Sequence, residues 1–217
     1  MRERWDQVWR GGRYLLIGLP TALAAMLVVP LLAVGALSTG LGGVGLVVFP
    51  RMVASLRLWA EWQRRRAAAL LGVTITPRNA TLAKGVRAQW RQLLDDRENR
   101  RDLRWVLQHI VIGLAAGLGA LCCVSFPVGG LVAATSWWLF PADEPMTVLL
   151  GVPVTDWGTA LGLGAVQVAL GGALAWWAMP SLARWEARVS LAALEPSAED
   201  QLAERVGELT ESRAGVL

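Results

Sequence analysis

Three long stretches of this chain carry no charge. No Asp, Glu, Lys or Arg occurs from Tyr14 to Pro50, from Trp105 to Ala142, or from Trp157 to Ala183, runs of 37, 38 and 27 residues. A helix that crosses a ~30 Å hydrocarbon core needs about 20 such residues. The pattern predicts an all-α membrane protein with four spans. The first covers Tyr14 to Val34 and contains Pro20 and Pro30, which membrane helices tolerate. A Gly-rich turn (Gly35, Gly40, Gly42, Gly43, Gly45) follows. The second span is weaker, because two full spans and a turn need roughly 44 residues. Either Arg51 lies in its cytoplasmic half and snorkels, or the segment is short or re-entrant. An Arg at mid-bilayer costs roughly 2.5–3.5 kcal/mol, so snorkelling is the cheaper solution. The third span runs from Trp105 to about Pro127, and Trp137-Trp138-Leu139-Phe140 reads as an interfacial belt. The fourth runs from about Gly158 to Met179.

Between the second and third spans, residues 57–104 carry twelve Lys/Arg against five Asp/Glu. Val86, Trp90, Leu93 and Leu94 recur there at helical spacing beside Lys84, Arg87 and Arg91. That amphipathic helix can lie on anionic headgroups or pack on its neighbours. Asn79-Ala80-Thr81 matches a glycosylation sequon by chance. The chain also repeats itself. Arg13-Tyr14-Leu15-Leu16 opens one hairpin and Arg104-Trp105-Val106-Leu107 another. Their exits, Trp62-Gln63-Arg64-Arg65-Arg66 and Trp185-Glu186-Ala187-Arg188, are related. Hairpin repeats over about 13–72 and 104–195 predict a four-helix transmembrane bundle, a sensor-type domain over 1–196. Beyond Pro196, Ser197 reads as a helix cap with Asp200 at the third position. Leu202, Val206, Leu209 and Val216 then form a short heptad seam, so 197–217 reads as the start of a coiled-coil signalling helix and a homodimer contact.

Composition agrees. The chain is 54% hydrophobic and 18% charged, with mean hydropathy +0.43, where a soluble chain carries roughly 25% charge. Disordered, collagen-like and disulfide-framework classes are excluded. The net charge of +4 reflects sorting rather than nucleic-acid binding. All 21 Lys and Arg lie before Tyr14, from Arg51 to Arg104, or from Arg184 onward. Lys and Arg are retained on the cytoplasmic side during insertion. Both termini and the basic connector are therefore expected in the cytoplasm of a multi-pass plasma-membrane protein, with the 35–43 turn and the 136–157 loop outside. The first apolar run exceeds the ~7–15 residues of a signal-peptide core, so it is a retained span. Trp5, Trp9, Trp59, Trp62, Trp105 and Trp185 would anchor the inner interface, and Trp137, Trp138 and Trp157 the outer one.

Chemistry is sparse. His109, beside Gln108 at the inner end of the third span, is an interfacial or helix-contact polar group, or a ligand- or pH-sensing one. Gln167 in the fourth span suits an interhelical hydrogen bond or a ligand cavity. His109, Gln108, Gln167 and Arg51 are the candidate sensing residues. Cys122-Cys123 suits small apolar packing, since neighbouring cysteines do not form an unstrained disulfide. Gly113-x-x-x-Gly117 and Gly158-x-x-x-Gly162 suit close helix approach. There is no Walker loop, HExxH pair, CxxC or dinucleotide fingerprint, and no catalytic, cofactor or metal site is expected.

The order of features resembles the N-terminal membrane "putative sensor" domain of actinobacterial sensor histidine kinases. The resemblance rests on Trp9-Arg10-x-x-Arg13-Tyr14-Leu15-Leu16-x-Gly18-Leu19-Pro20, on Arg101-Asp102-Leu103-Arg104-Trp105-Val106-Leu107, and on the exit from Leu202 to Gly215. It implies a homodimeric input module of a two-component system, whose partners are the bilayer and a histidine kinase core or response regulator. Gln108-His109 departs from the apolar or aromatic residues usual there. No phospho-accepting His or ATP-binding box follows, so the chain itself is expected not to be an enzyme. A small transporter or accessory subunit, and a lipid-binding scaffold, are the competing readings. The charge sorting predicts that a single cysteine at residue 144, with Cys122 and Cys123 replaced, labels from outside the cell, whereas one at residue 80 labels only after permeabilisation. The reverse pattern would refute the orientation.

Overall fold

The computed structural model describes residues 1–40, 43–76, 85–95, 97–141, 143–149 and 151–195, together with 202 and 206. Five α-helices dominate: α1 (Arg2–Leu37), α2 (Gly45–Leu71), α3 (Val86–Asp95), α4 (Arg97–Ser136) and α5 (Trp157–Leu194). A minimal antiparallel hairpin, β1 (Thr147–Val148) with β2 (Val152–Pro153), lies between α4 and α5. The helices extend well past the apolar runs, because Arg2–Arg13, Arg97–Arg104 and Pro180–Leu194 continue the same helical hydrogen bonding into charged sequence. α5 starts on a capping box. The Asp156 carboxylate accepts from Thr159 N at 2.9 Å, and the Asp156 N–H reaches Thr159 Oγ1 at 3.3 Å. That backbone hydrogen bond holds the Asp156 carboxyl below its ordinary range.

Among the described residues three helices are long and apolar enough to cross a membrane, those containing α1, α4 and α5. Their outer faces are apolar: Leu27 is 67% exposed and Val111 68%. Exposed apolar surface on this scale belongs in lipid. α2 is not among them, so of the four spans expected it is the weaker second one that lacks such a length of apolar sequence. Its apolar start gives way to Arg51, Arg57, Glu61 and Arg64–Arg66 within the same helix.

Paired residues fix the helix directions. Gly130 against Gly164, Pro127 against Gly171 and Gly119 against Leu182 make α4 and α5 antiparallel. Gly35 beside Met52 and Tyr14 beside Arg66 do the same for α1 and α2. In contrast, Arg57–Asn99, Trp59–Trp105 and Gln63–His109 make α2 and α4 parallel. Trp5–Trp176 and Gly11–Ala183 make α1 and α5 parallel. The turn after α1 and the segment after α4 therefore stand at opposite ends of the molecule. This corrects the expectation of two hairpin repeats opening to one side. The cause is α3. Trp90 Nε1 donates to Leu46 O at 2.8 Å and its ring stacks on Phe49 at 5.8 Å, which holds α3 at the start of α2. α4 then begins beside the middle of α2, where Asn99 meets Arg57, and runs the same way. The amphipathic connector helix thus packs on a neighbour through its tryptophan.

Where the two helix pairs overlap, the core is built from small residues. Ala67, Ala116, Ala120, Ala183 and Ala187 pack around Tyr14, Leu15 and Met179. Ala25 and Ala60 pack with Trp105, Val106 and Leu194. Alanine lets the backbones approach closely at little entropic cost. Arg10, Arg13, Arg66 and Arg184 gather around the same level. Beyond this basic belt the apolar parts of α1 and of α4–α5 extend to opposite ends. In this arrangement a bilayer of about 30 Å does not enclose all three apolar stretches.

The small-residue pairs named from sequence are only partly used. Gly117 meets Leu19 of α1, but a Cβ at Gly162 would meet open space. The close α4–α5 contact falls instead at Gly164 and Gly171. A Cβ at Gly164 would come 2.8 Å from Gly130 O, and one at Gly171 2.6 Å from Pro127 Cδ. Cys122 is exposed and Cys123 buried, both as free thiols. A Cβ on Gly11 would lie 3.3 Å from that of Ala183, close to the ~3.5–4.5 Å a disulfide needs. A Gly11→Cys/Ala183→Cys pair in a background lacking Cys122 and Cys123 is therefore expected to cross-link within one chain under mild oxidation. A Gly11→Cys/Ala160→Cys pair should not. Equal yields would refute the α1–α5 contact.

Candidate functional site

Each of α1, α2, α4 and α5 sends polar side chains into one buried cluster at the basic belt. His109 of α4, Gln63 of α2 and Glu186 of α5 are each 3% exposed. A polar group in such surroundings must find partners or cost roughly 1–3 kcal/mol, and these find one another except at His109 Nδ1 and Glu186 Oε2, which have no hydrogen-bond partner. Gln63 Nε2 lies 3.2 Å from His109 Nε2 and 3.0 Å from Thr21 Oγ1 of α1. Thr21 Oγ1 is also 3.1 Å from His109 Nε2 and donates to Gly18 O at 2.7 Å. On its other edge, His109 Nδ1 stands 3.6 Å from Glu186 Oε1, farther than a hydrogen bond. Ser190 donates to the same oxygen at 3.1 Å.

The orientation of Gln63 is set from behind. Arg66 Nη1 donates to Gln63 Oε1, so the amide nitrogen must face the imidazole. Arg66 Nη2 donates to Tyr14 O at 2.9 Å, tying α2 to α1. The guanidinium lies 4.8 Å from the centre of the Tyr14 ring and 4.6 Å from that of Trp62. Burial lowers the Arg66 pKa from its ordinary value, opposed by the fields of Tyr14 and Glu186. With the Gln63 amide donating to Nε2, the consistent neutral tautomer of His109 carries its proton on Nδ1, toward Glu186. A proton at that edge lies between two titratable side chains held by different helices.

Aromatic rings close the cluster. Trp105 stacks on His109 at 5.1 Å, and Trp59 stands edge-on to both rings at 5.6 and 6.4 Å. Gly113 lies one turn along α4 from His109. A Cβ there would come 2.8 Å from the imidazole, so this glycine makes room for the ring of its own helix. A separate network steadies the α2 extension. Glu61, 6% exposed, accepts from Arg64 at 3.3 Å and Arg65 at 2.9 Å, while Arg64 also donates to Thr76 O.

Of the residues singled out from sequence, only His109 belongs to this cluster. Gln108 is half-buried on the adjacent face and makes none of these contacts. Gln167 lies elsewhere, as an interhelical tie: its Nε2 donates to Phe126 O at 2.7 Å and its Oε1 accepts from Leu149 N at 2.8 Å. Arg51 is exposed and folds back onto Val47 O at 2.9 Å, toward the turn after α1. Leu202 and Val206 are helical and 61% exposed each; Leu209 and the sequon lie outside the described residues. Among the described residues no group of His, Cys, Asp and Glu suits a metal ion. Sequence reading missed Gln63, Glu186, Thr21, Arg66, Tyr14 and Ser190. One signal was present: Gln63 and Glu186 each follow a tryptophan at matching positions of the two exit segments.

The family model described as "Putative sensor" matches residues 14–194 of the chain. That span begins at Tyr14 and ends at Leu194, enclosing every residue of the buried cluster. No curated protein and no solved structure matches the chain.

Gly113→Ala is expected to push His109 out of place and lower the unfolding midpoint in detergent micelles, at a cost of about 1–3 kcal/mol. Combined with His109→Ala, which empties that space, Gly113→Ala should add little. Additive losses would mean that Gly113 serves some purpose other than clearing the ring.

Proposed function

The chain belongs to the "Putative sensor" family, and on that premise we propose that it is the membrane-embedded input and transmission module of a two-component-type signalling system. A sensory membrane domain is what the family and the three membrane-length helices support together. The finer reading rests on one observation. A single buried cluster takes its members from α1, α2, α4 and α5, so a change in any one of them alters the register of all four. Sensing requires such an element, whose two packings a stimulus can bias. Its last contributor, Ser190, lies one turn before the end of α5, from which the chain leads to the exposed Leu202 and Val206. Pairing of that segment with a second copy would carry the change to a kinase core or response regulator. We assign no catalysis to the chain itself.

The cytoplasmic placement of the basic belt and both termini rests on the retention of Lys and Arg. A transporter reading finds less support. Its pathway would need polar groups facing a passage, whereas Gln167 is engaged with Phe126 and Leu149, and the buried cluster is engaged with itself.

The test is a chimera. Residues 1–217 are fused in register to a histidine kinase core, and autophosphorylation is measured in proteoliposomes. Glu186→Gln, which keeps the shape and removes the charge, is expected to change the rate by about threefold or more, in either direction. Gln108→Leu, outside the cluster, should leave it unchanged. Equal rates for Glu186→Gln and the unaltered chimera would overturn the proposal.

A further inference from the structure

Two cavities meet at Arg13. The first, about 250 Å³ between α1 and α2, is lined by Arg10, Arg13, Tyr14 and Arg66, and no carboxylate lines it. The second, about 240 Å³, runs along the other side of α1 past Trp9, Leu16 and Met179 and is almost wholly apolar. Arg13 and Ile17 line both. The two cavities are therefore adjoining halves of one amphipathic recess.

The basic half is electrostatically unfinished. Arg10 spends only its Nε, on Asp6 O. Arg13 makes no hydrogen bond or ion pair among the described residues. Arg66 donates to the amide oxygens of Gln63 and Tyr14 and feels the nearby Glu186 carboxylate, which does not itself line the cavity. Three guanidinium groups around one cavity suit a phosphate, which Arg binds through paired N–H groups. The apolar half suits a hydrocarbon chain.

We propose that this recess binds one anionic phospholipid, its phosphate against Arg10, Arg13 and Arg66 and an acyl chain along Trp9, Leu16 and Met179. A zwitterionic lipid would bring a second cation toward three guanidiniums. A soluble phosphate would leave the apolar half empty.

The full chain is reconstituted in phosphatidylcholine nanodiscs with increasing phosphatidylglycerol, and bound lipid and unfolding midpoint are read by native mass spectrometry and thermal denaturation. Phosphatidylglycerol is expected to be retained and to raise the midpoint, and Arg10→Gln/Arg13→Gln to weaken its retention on the order of tenfold. Leu16→Trp, which fills the apolar half and leaves every charge in place, should weaken it as well. Arg13→Lys should retain most of it. Glycerol phosphate without acyl chains should leave the midpoint unchanged. Equal retention of phosphatidylcholine, an effect of glycerol phosphate matching that of the lipid, or unaltered retention in both the Arg and the Leu16 variants, each confirmed folded by circular dichroism, would overturn the proposal.

Discussion

Burying an imidazole, a carboxylate, an amide and a guanidinium together leaves a protein few arrangements. Away from water each group must be answered by another, and here the answers come from different helices. His109 meets Gln63 and Thr21 on one edge and Glu186 on the other, while Arg66 fixes Gln63 and reaches the α1 backbone. Alanine-rich contacts hold helices close but choose register poorly, because one alanine fits another's place. The polar cluster supplies the missing choice, since sliding any helix by a turn would strand a buried charge or donor. Trp105 and Trp59 make the requirement strict by excluding water from the imidazole.

The apolar segments were legible in the sequence because charge is either present or absent over twenty residues. The helix ends were less so. Charged sequence such as Arg97–Arg104 looks like a loop but continues α4, since arginine is a good helix former. Helix directions were not legible at all. They depend on Trp90 docking at Leu46 and Phe49, a contact between positions 44 residues apart that no periodicity announces. The glycine pairs misled for a related reason. With 23 glycines in the chain, spacing alone does not distinguish Gly162, which faces open space, from Gly164, which touches the backbone of α4.

One residue of the site could be read and the others could not. His109 is the only histidine and lies in an apolar run, so it stood out. Glu186 and Gln63 did not, because each lies among arginines where a solvated surface is the ordinary expectation. Only folding shows that both point inward. Arg51 failed in the opposite sense: an arginine near an apolar run suggested a functional intrusion, yet its guanidinium is satisfied by the carbonyl one turn back.

Gln167 also tethers the small hairpin between α4 and α5. The amide it holds belongs to Leu149, whose φ of +48° is a left-handed conformation that a leucine adopts at a cost of roughly 1–2 kcal/mol. The Gln167 amide thus joins a left-handed residue of the hairpin to α4 at Phe126, beside the Pro127 interruption, while the turn is also held by Gly151 N donating to Val148 O at 3.1 Å. A pull on the hairpin would therefore reach α4 through a single side chain, at the point where the proline already leaves that helix short of one backbone donor.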